Sequence, residues 1–593
     1  MSSGGVALIA FPWQRFNQMS LQLGVLTSFL REHGIPVETG HYYRDFVEFI
    51  GRDAYDKLFY ASCGEALFAA ILFPQRRRRI ESVLRKRVQD LPPLDAMLKG
   101  CNAYVNSIVH DKTWDEFRLI GITTTHEQLI TSLCVARALK QKWPRSRIAM
   151  GGALLDAQSG GALLSLFPEI DLVVYGEGEE TLLEIARTAA VQQDISLGDV
   201  QGVVYRNHRE IIATGRRALL PKLDELPFPD YSDYFLVSRR RSTRKCLPWI
   251  SLEMSRGCSW GRCTFCNLHI QWKGPLRRKS AERIVAEVRE AVNQNRSSRI
   301  TFCDTNTSAF GDAYRALEKQ CLGLDMFAEV SAHLNREDLE CMGRAGLRSL
   351  QVGIESFSER ILQKFQKGIS VMRNIEMLKW VAELGIRIDY NILIRYPDEL
   401  AEDVESTLRV IRYARWFAPP HLGNYSVSFE SCAARESAAH NISGARIPRD
   451  YQRIYPKDVL KGISRLLVLW MEPIPSEKRN IDWKPVQDLV DKWRTDHAAS
   501  GKYPRLVWRD TGEFVIVEEQ SVKDHEAEIW RLTGVLRDVY LACDRQSLTI
   551  AQLAKELAIH DEDDVKRAVS ELDASGILFY HGGRALSLAI RQV

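Results

Sequence analysis

The stretch Trp249-Ile-Ser-Leu-Glu-Met-Ser-Arg-Gly-Cys258-Ser-Trp-Gly-Arg-Cys263-Thr-Phe-Cys266 places three thiols within nine residues, directly after a run, Trp249 to Glu253, that reads as a buried strand. Gly257, Gly261 and Arg262 make the loop polar and rich in turns, which argues against three free cysteines in a core. Thiolates select zinc or iron–sulfur clusters. A closed zinc site needs a fourth ligand, for which His269 is the nearest candidate. A four-iron cubane on three cysteines instead leaves one iron open to an external ligand. On the residues alone both readings stand.

Downstream, short apolar runs at Arg299–Phe302, Ala328–Ser331, Ser349–Gly353 and Ile388–Ile392 alternate with helical patterns, which implies a parallel, barrel-like unit. Its first strand feeds the cysteine loop, so the loop belongs at the strand ends where such units keep their ligands. Upstream, Val6–Phe11, Leu21–Leu30 and Gly34–Glu38 give a βαβ start, and residues 45–105 read as a helical insertion. The run Arg76–Arg79 within it is a solvated face. A second α/β stretch follows, with strands at Leu119–Thr123, Ile148–Met150 and Leu172–Tyr175. The last two end in Gly151-Gly152 and Gly176-Glu-Gly-Glu179. Parallel sheets bind ligands at such ends, although each glycine pair alone is no more than a tight turn.

The Pro- and Arg-rich stretch Leu219–Pro248 reads as an inter-domain connection. After Ser437 the pattern turns helical and rich in Trp, and near the end Leu548–Leu557, Asp564–Leu572 and Gly576–Tyr580 read as two helices and a wing. The expected division is therefore 1–220, a linker at 221–248, 249–437, a helical extension at 438–505, and 506–593.

A chain of 593 residues amounts to roughly four domains. Its formal charge of +4 gives no global argument for nucleic acid, and no apolar run reaches the roughly 20 residues of a membrane helix. Met-Ser-Ser-Gly-Gly lacks the pattern of a secretory signal, so the expected compartment is the cytoplasm, where twelve cysteines do not form a disulfide framework.

The cysteine motif resembles that of the radical S-adenosylmethionine (SAM) enzymes, CxxxCxxC with an aromatic residue before the last cysteine. Phe265 holds the aromatic position, and the first spacing is one residue longer, as in subgroups with a longer first loop. Thr301-Phe-Cys-Asp-Thr-Asn306, Gly353-Ile-Glu-Ser356 and Asn391-Ile-Leu-Ile-Arg-Tyr-Pro397 resemble later strand ends of that family. The resemblance implies a partial (β/α) barrel in which Cys258, Cys263 and Cys266 hold a [4Fe-4S] cluster. It implies SAM contacts from Phe265, Asp304, Asn306, Ser331, Glu355 and Asn391. At Ser331 related proteins often carry a charged residue.

The N-terminal unit resembles the Rossmann-like cobalamin-binding module of one large class in this superfamily. Phe11-Pro-Trp13, Ser20–Gly24, Tyr42-Tyr43, Lys279-Ser280, Lys367-Gly368 and Leu586–Ala589 narrow the resemblance to maturases of ribosomally made peptides, often cobalamin-dependent C-methyltransferases. Cobalamin contacts are then implied for Pro12, Trp13, Thr124, His126, Gly151, Gly152, Gly176, Glu177 and Gly178. The motif Asp-x-His-x-x-Gly, which supplies a histidine below cobalt, is absent, and His126 is the substitute candidate.

The implied activity is methylation of an unactivated carbon in a precursor peptide, with a flavodoxin- or ferredoxin-like electron donor and no specific general acid or base assigned. The C-terminal winged-helix-like domain would bind a leader peptide by strand addition to its wing, and the acidic run Asp561–Asp564 disfavours nucleic acid. The alternatives are a peptide crosslink or epimerisation, methylation of a small molecule or a tRNA modification, and a zinc-stabilised regulatory protein.

Overall fold

The structure is a computed structural model that describes residues 4–191, 197–237, 247–267, 274–468, 470–500, 505–520, 527–558 and 560–592. His269 and the segment Arg239–Lys245 lie outside the described residues. The fold is α/β, built on two main sheets. Among the described residues no helix is long and apolar enough to cross a membrane.

The first sheet holds β1 (Val6–Ala10), β2 (Val37–His41), β3 (Leu119–Thr123), β4 (Ile148–Gly151), β5 (Leu172–Val174), β6 (Val203–Asn207) and β7 (Glu210–Ala213) in the order β2-β1-β3-β4-β5-β6-β7. Strands β1 to β5 run parallel, while β6 and β7 form an antiparallel edge. Because the chain winds outward in both directions from β1 and β3, a crevice opens above their carboxyl ends. Between β2 and β3, helices within 43–109 bury Phe46, Phe68 and Tyr104 against one face of the sheet.

In the second unit β8 (Ile250–Leu252) is followed by a small antiparallel pair, β9 (Ser255–Arg256) and β10 (Arg277–Arg278). Then come β11 (Arg299–Phe302), β12 (Asp325–Ser331), β13 (Leu347–Glu355), β14 (Arg387–Ile394) and β15 (His421–Asn424). The six strands β8 and β11 to β15 make an open parallel sheet, not a closed barrel. In β12 the residues Met326, Ala328 and Val330 are buried under helices, whereas Asp325, Phe327, Glu329 and Ser331 are only partly buried. The same alternation continues through Gln351, Gly353 and Glu355 of β13 and Asp389 and Asn391 of β14. A strand turns alternate residues to opposite faces, so this sheet has one apolar face against helices and one polar, open face.

Three boundaries differ from the sequence reading. Residues 219–237 are a packed strap and not a free linker: the Tyr231 ring lies 2.5 Å from where a Cβ on Gly24 would stand, and Arg31 pairs with Asp230 at 2.5 Å and Asp233 at 2.8 Å. The part of 438–505 containing Ile454, Val459, Ile463 and Leu467 completes the core of the N-terminal unit. The C-terminal residues share a core with the second unit, where the buried Lys379 meets Asp544 at 2.9 Å and Ser547 N donates to Glu376 at 2.7 Å. Proline, arginine and tryptophan content suggested independent segments, but apolar spacing does not report which neighbour an amphipathic helix covers.

Candidate functional site

The cysteine loop leaves β8 and is stapled to the exit of β11 by three successive residues. Asp304 accepts from Met254 N at 2.9 Å and Ser255 Oγ at 2.6 Å. Thr305 Oγ1 donates to Gly257 O at 2.9 Å, and Asn306 Nδ2 donates to Ser259 Oγ at 3.0 Å. Successive residues 304 to 306 thus hold positions 254, 255, 257 and 259 of the loop in turn. Asn306 Oδ1 also accepts from Ser331 N at 3.2 Å, which extends the brace to β12.

Cys258, Cys263 and Cys266 are each partly exposed. Burial pushes the Cys263 thiol up to about 11, opposed by the Lys367 ammonium and reinforced by the other two thiols. Such thiols ionise when a metal takes them. Zinc would draw tetrahedral sulfurs to about 3.8 Å from one another. Among the described residues, the three sulfurs are not within 4.8 Å of one another. Three thiolate donors on one loop suit an iron–sulfur cluster with one iron left open. The Phe265 ring packs 5.2 Å from that of Phe365, with Lys367 Nζ 5.8 Å from the Phe265 ring centre.

At the end of β13 Glu355 adopts φ +64°, and its Oε1 lies 3.2 Å from Lys367 Nζ. Burial raises Asp304 to about 7 and Glu329 to about 7, the latter also feeling Asp304 and Glu355. These carboxyls and Cys303 occupy the polar side of the sheet near the loop. Ser331 bonds with Ser308 and, through its Oγ, with His333 Nδ1 at 3.2 Å. Asn391 is exposed and paired in register with His421, two strands away from Glu329.

A cavity of about 770 Å³ lies between the two sheets. The N-terminal unit lines it with Gly151, Gly152, Tyr175 and the loop Gly176–Glu179; the second unit adds Glu253, Ser255, Arg256, Asn267 and Cys303. Gly176 has φ +86° and no atom within 4 Å of its missing Cβ, so side-chain-free backbone borders open space there. A Cβ on Gly152 would stand 1.7 Å from Thr124 O. The two units are joined beside the cavity by Arg256, which contacts Glu177 at 2.8 Å, Glu179 at 2.6 Å and Glu253 at 2.9 Å. Arg277 also contacts Glu177, at 2.9 Å. Burial alone would raise Glu177, yet Arg277 and Arg256 outweigh it and hold this carboxyl below its ordinary range.

Of the residues expected at a cobalamin, Gly151, Gly152, Gly176, Glu177 and Gly178 line this cavity, whereas Pro12, Trp13, Thr124 and His126 do not. Trp13 is a core residue packed on Phe46 and Tyr55, because the chain after β1 dives beneath the helices. Thr124 donates its N–H to Gly151 O at 2.7 Å and so braces the glycine loop from behind. His126 packs against Trp470, and burial lowers it to about 4. Among the described residues lining the cavity there is no histidine. Glu177 is spent on Arg256, Arg277 and the Leu220 N–H. Arg256, Glu253, Cys303, Glu329 and Lys367 were not singled out as site residues from sequence, since only contact across elements distinguishes them.

Residues 252–411 match the family model of the radical SAM superfamily. The chain thus carries a radical SAM domain, whose cofactors are a [4Fe-4S] cluster and SAM. An uncharacterized methyltransferase of Pyrococcus horikoshii is 27% identical over 318 residues, covering 51% of this chain and 67% of that protein. The hopanoid C-3 methylase of Methylococcus capsulatus is 29% identical over 243 residues, covering 39% of this chain and only 43% of that enzyme. The radical SAM methyltransferase TsrM from Kitasatospora setae, solved with cobalamin and a [4Fe-4S] cluster, superposes with TM-score 0.56 at 14% identity, covering 84% of this chain and 92% of that one. The apo form of the cobalamin-dependent radical enzyme OxsB gives TM-score 0.50 at 15% identity, over 97% of this chain and 71% of that one.

Proposed function

We propose that the chain is a cobalamin-dependent radical SAM C-methyltransferase that methylates an unactivated carbon of a ribosomally synthesised precursor peptide in the cytoplasm. The observation that carries this reading is the cavity bordered on one side by the glycine loops of a doubly wound sheet and on the other by Ser255, Cys303 and Asn267 around the cysteine loop. When bound, the cluster and SAM supply one-electron bond cleavage and cobalamin supplies a methyl group; the protein contributes position and shelter.

Cys258, Cys263 and Cys266 would hold three irons, with Asp304, Thr305 and Asn306 fixing their loop. Glu329 and Glu355 would accept hydrogen bonds from SAM on the open face of the sheet. Gly176 and Gly178 would border the cobalamin, their backbone leaving space beside it. A flavodoxin- or ferredoxin-like protein would supply electrons.

For the peptide, the wing strand Leu578–His581 is a poor platform, because Arg409 donates to Tyr580 O at 2.8 Å and Tyr580 N donates to Asp573 at 2.9 Å. The better edge belongs to Ile529–Leu532, the outer strand of a four-stranded sheet, where Ile529 is exposed. A leader could add there as a further strand.

The test is anaerobic incubation of the reconstituted protein with hydroxocobalamin, a reductant, trideuteromethyl-labelled SAM and the peptide encoded beside it. The expected result is a peptide heavier by one labelled methyl group, with deoxyadenosine formed. A product that loses hydrogens or keeps its mass, with deoxyadenosine still formed, overturns methylation in favour of crosslinking or epimerisation.

A further inference from the structure

Beyond β15 the chain turns through a short helix, Cys432–Arg435, and a 3-10 turn, Ser437–His440. Ser431 caps the first by accepting from Ala434 N at 3.3 Å. The two turns bring Cys432, Glu436 and His440 to one side, with one ligand atom from each lying within 4.8 Å of the others. We propose that these three side chains form a zinc site, with water as fourth ligand, that fastens the cysteine loop from outside.

The donor set carries the choice of ion. One thiolate, one imidazole and one carboxylate suit zinc, a borderline-soft cation, whereas magnesium and calcium take oxygen ligands. Zinc ligands at about 2.0–2.3 Å stand roughly 3.3–3.8 Å from one another. The present spread closes to that with side-chain movements on the order of 1 Å.

The supports are in place. His440 is 5% exposed, and its Nδ1 shares a 2.7 Å hydrogen bond with Tyr396 Oη, which fixes the ring plane, so that Nε2 is the nitrogen that would take the ion. The next residue, Asn441, adopts φ +54° and ties the turn down through Nδ2 to Pro397 O at 2.7 Å and Glu477 O at 2.9 Å. Glu436 is exposed, so the ion has a path from solvent and the water position can exchange.

The consequence for the cluster is local. Ala433, beside Cys432, donates its N–H to Thr264 O at 2.8 Å, and Thr264 stands between Cys263 and Phe265. Asn267 Nδ2 also reaches Phe429 O, at 3.2 Å. Zinc binding would therefore hold the strip from Phe429 to His440 rigid at the point where it backs the cysteine loop.

The experiment is metal analysis of the full chain, anaerobically loaded with iron and sulfide, then equilibrated with zinc and dialysed. About four irons and one zinc per chain are expected. Cys432→Ala and His440→Ala should each lower zinc at least tenfold while leaving iron unchanged. Because an incompletely filled cysteine loop also takes zinc, the same count is made on a Cys258→Ala/Cys263→Ala/Cys266→Ala chain. There one zinc should remain, and cobalt(II) put in its place should show thiolate-to-metal absorption that disappears on adding Cys432→Ser. Failure of the cluster-free chain to bind zinc, or zinc unchanged by Cys432→Ala in the loaded protein, overturns the site. Circular dichroism of each variant separates loss of ligand from loss of fold.

Discussion

Replacing Arg256 by leucine removes one guanidinium from among three buried carboxylates. Its side chain is 6% exposed, and those of Glu177, Glu179 and Glu253 are 6%, 5% and 8% exposed. Glu177 keeps Arg277, whereas Glu179 and Glu253 lose their direct ion pair with Arg256. Breaking a buried pair on one side costs about 3–5 kcal/mol, because the remaining charge stays out of water. Glu177 and Glu179 come from the N-terminal unit and Arg256 and Glu253 from the second, so the loss falls on the interface that walls the cavity. Urea unfolding, read at the first transition of this multidomain chain, should shift by about 3 kcal/mol or more. Arg256→Leu combined with Glu179→Gln and Glu253→Gln should recover more than half of it, since the orphaned charges are gone. A loss below about 1 kcal/mol, or no recovery in the combined variant, refutes the reasoning. The pH dependence follows with a definite sign. Glu177 and Glu253 are held below their ordinary range by arginine against the effect of burial. Their stabilisation is therefore complete above the ordinary carboxylate pKa and lost as pH falls through the lower folded values; the wild-type interface should persist at pH 5 and weaken below about pH 4.

Gly152→Ala would put a Cβ 1.7 Å from Thr124 O at φ +149°, so the glycine loop must move; cobalamin retention on gel filtration should fall at least tenfold with iron content unchanged. Glu329 is a carboxyl raised to about 7 by burial, and its ionisation costs stability as pH climbs from its unfolded value through 7. Glu329→Gln should therefore raise the melting point of the SAM-free protein at pH 8 and leave it little changed at pH 5, with a gain on the order of 1–2 kcal/mol because the side chain keeps some solvent. Asn306→Ala removes bonds to Ser259 and Ser331; the reconstituted cluster should lose iron to a chelator several-fold faster, measured by bleaching of its visible absorption.

The cysteine loop and its place after β8 were legible because three thiols in nine residues have few other uses and because strand runs followed by helical spacing define a parallel sheet. The loops at Gly151 and Gly176 line the cavity, yet in sequence each glycine pair alone was no more than a tight turn, and only their place at the ends of parallel strands pointed to a ligand. Trp13 and His126 lie away from the cavity lining, which the sequence does not reveal, because an aromatic or imidazole group near a strand end looks the same whether the chain then rises over a cavity or dives into the core. Arg256 sits two residues before Cys258, and its role depends on Glu177 and Glu179, whose distance in sequence hides the contact. The strap at 219–237 was concealed by its prolines, which mark turns without saying what the intervening Tyr231 covers.

The central claim is that one chain holds a cluster on its cysteine loop and cobalamin in the adjoining cavity. Iron and cobalt should be counted together in anaerobically reconstituted wild type, Cys258→Ala and Gly152→Ala. Expected are about four irons and one cobalt in wild type, iron lost with cobalt kept in Cys258→Ala, and cobalt lost with iron kept in Gly152→Ala. Full iron without cobalt in the wild type, or cobalt unaffected by Gly152→Ala, contradicts the assignment of the cavity.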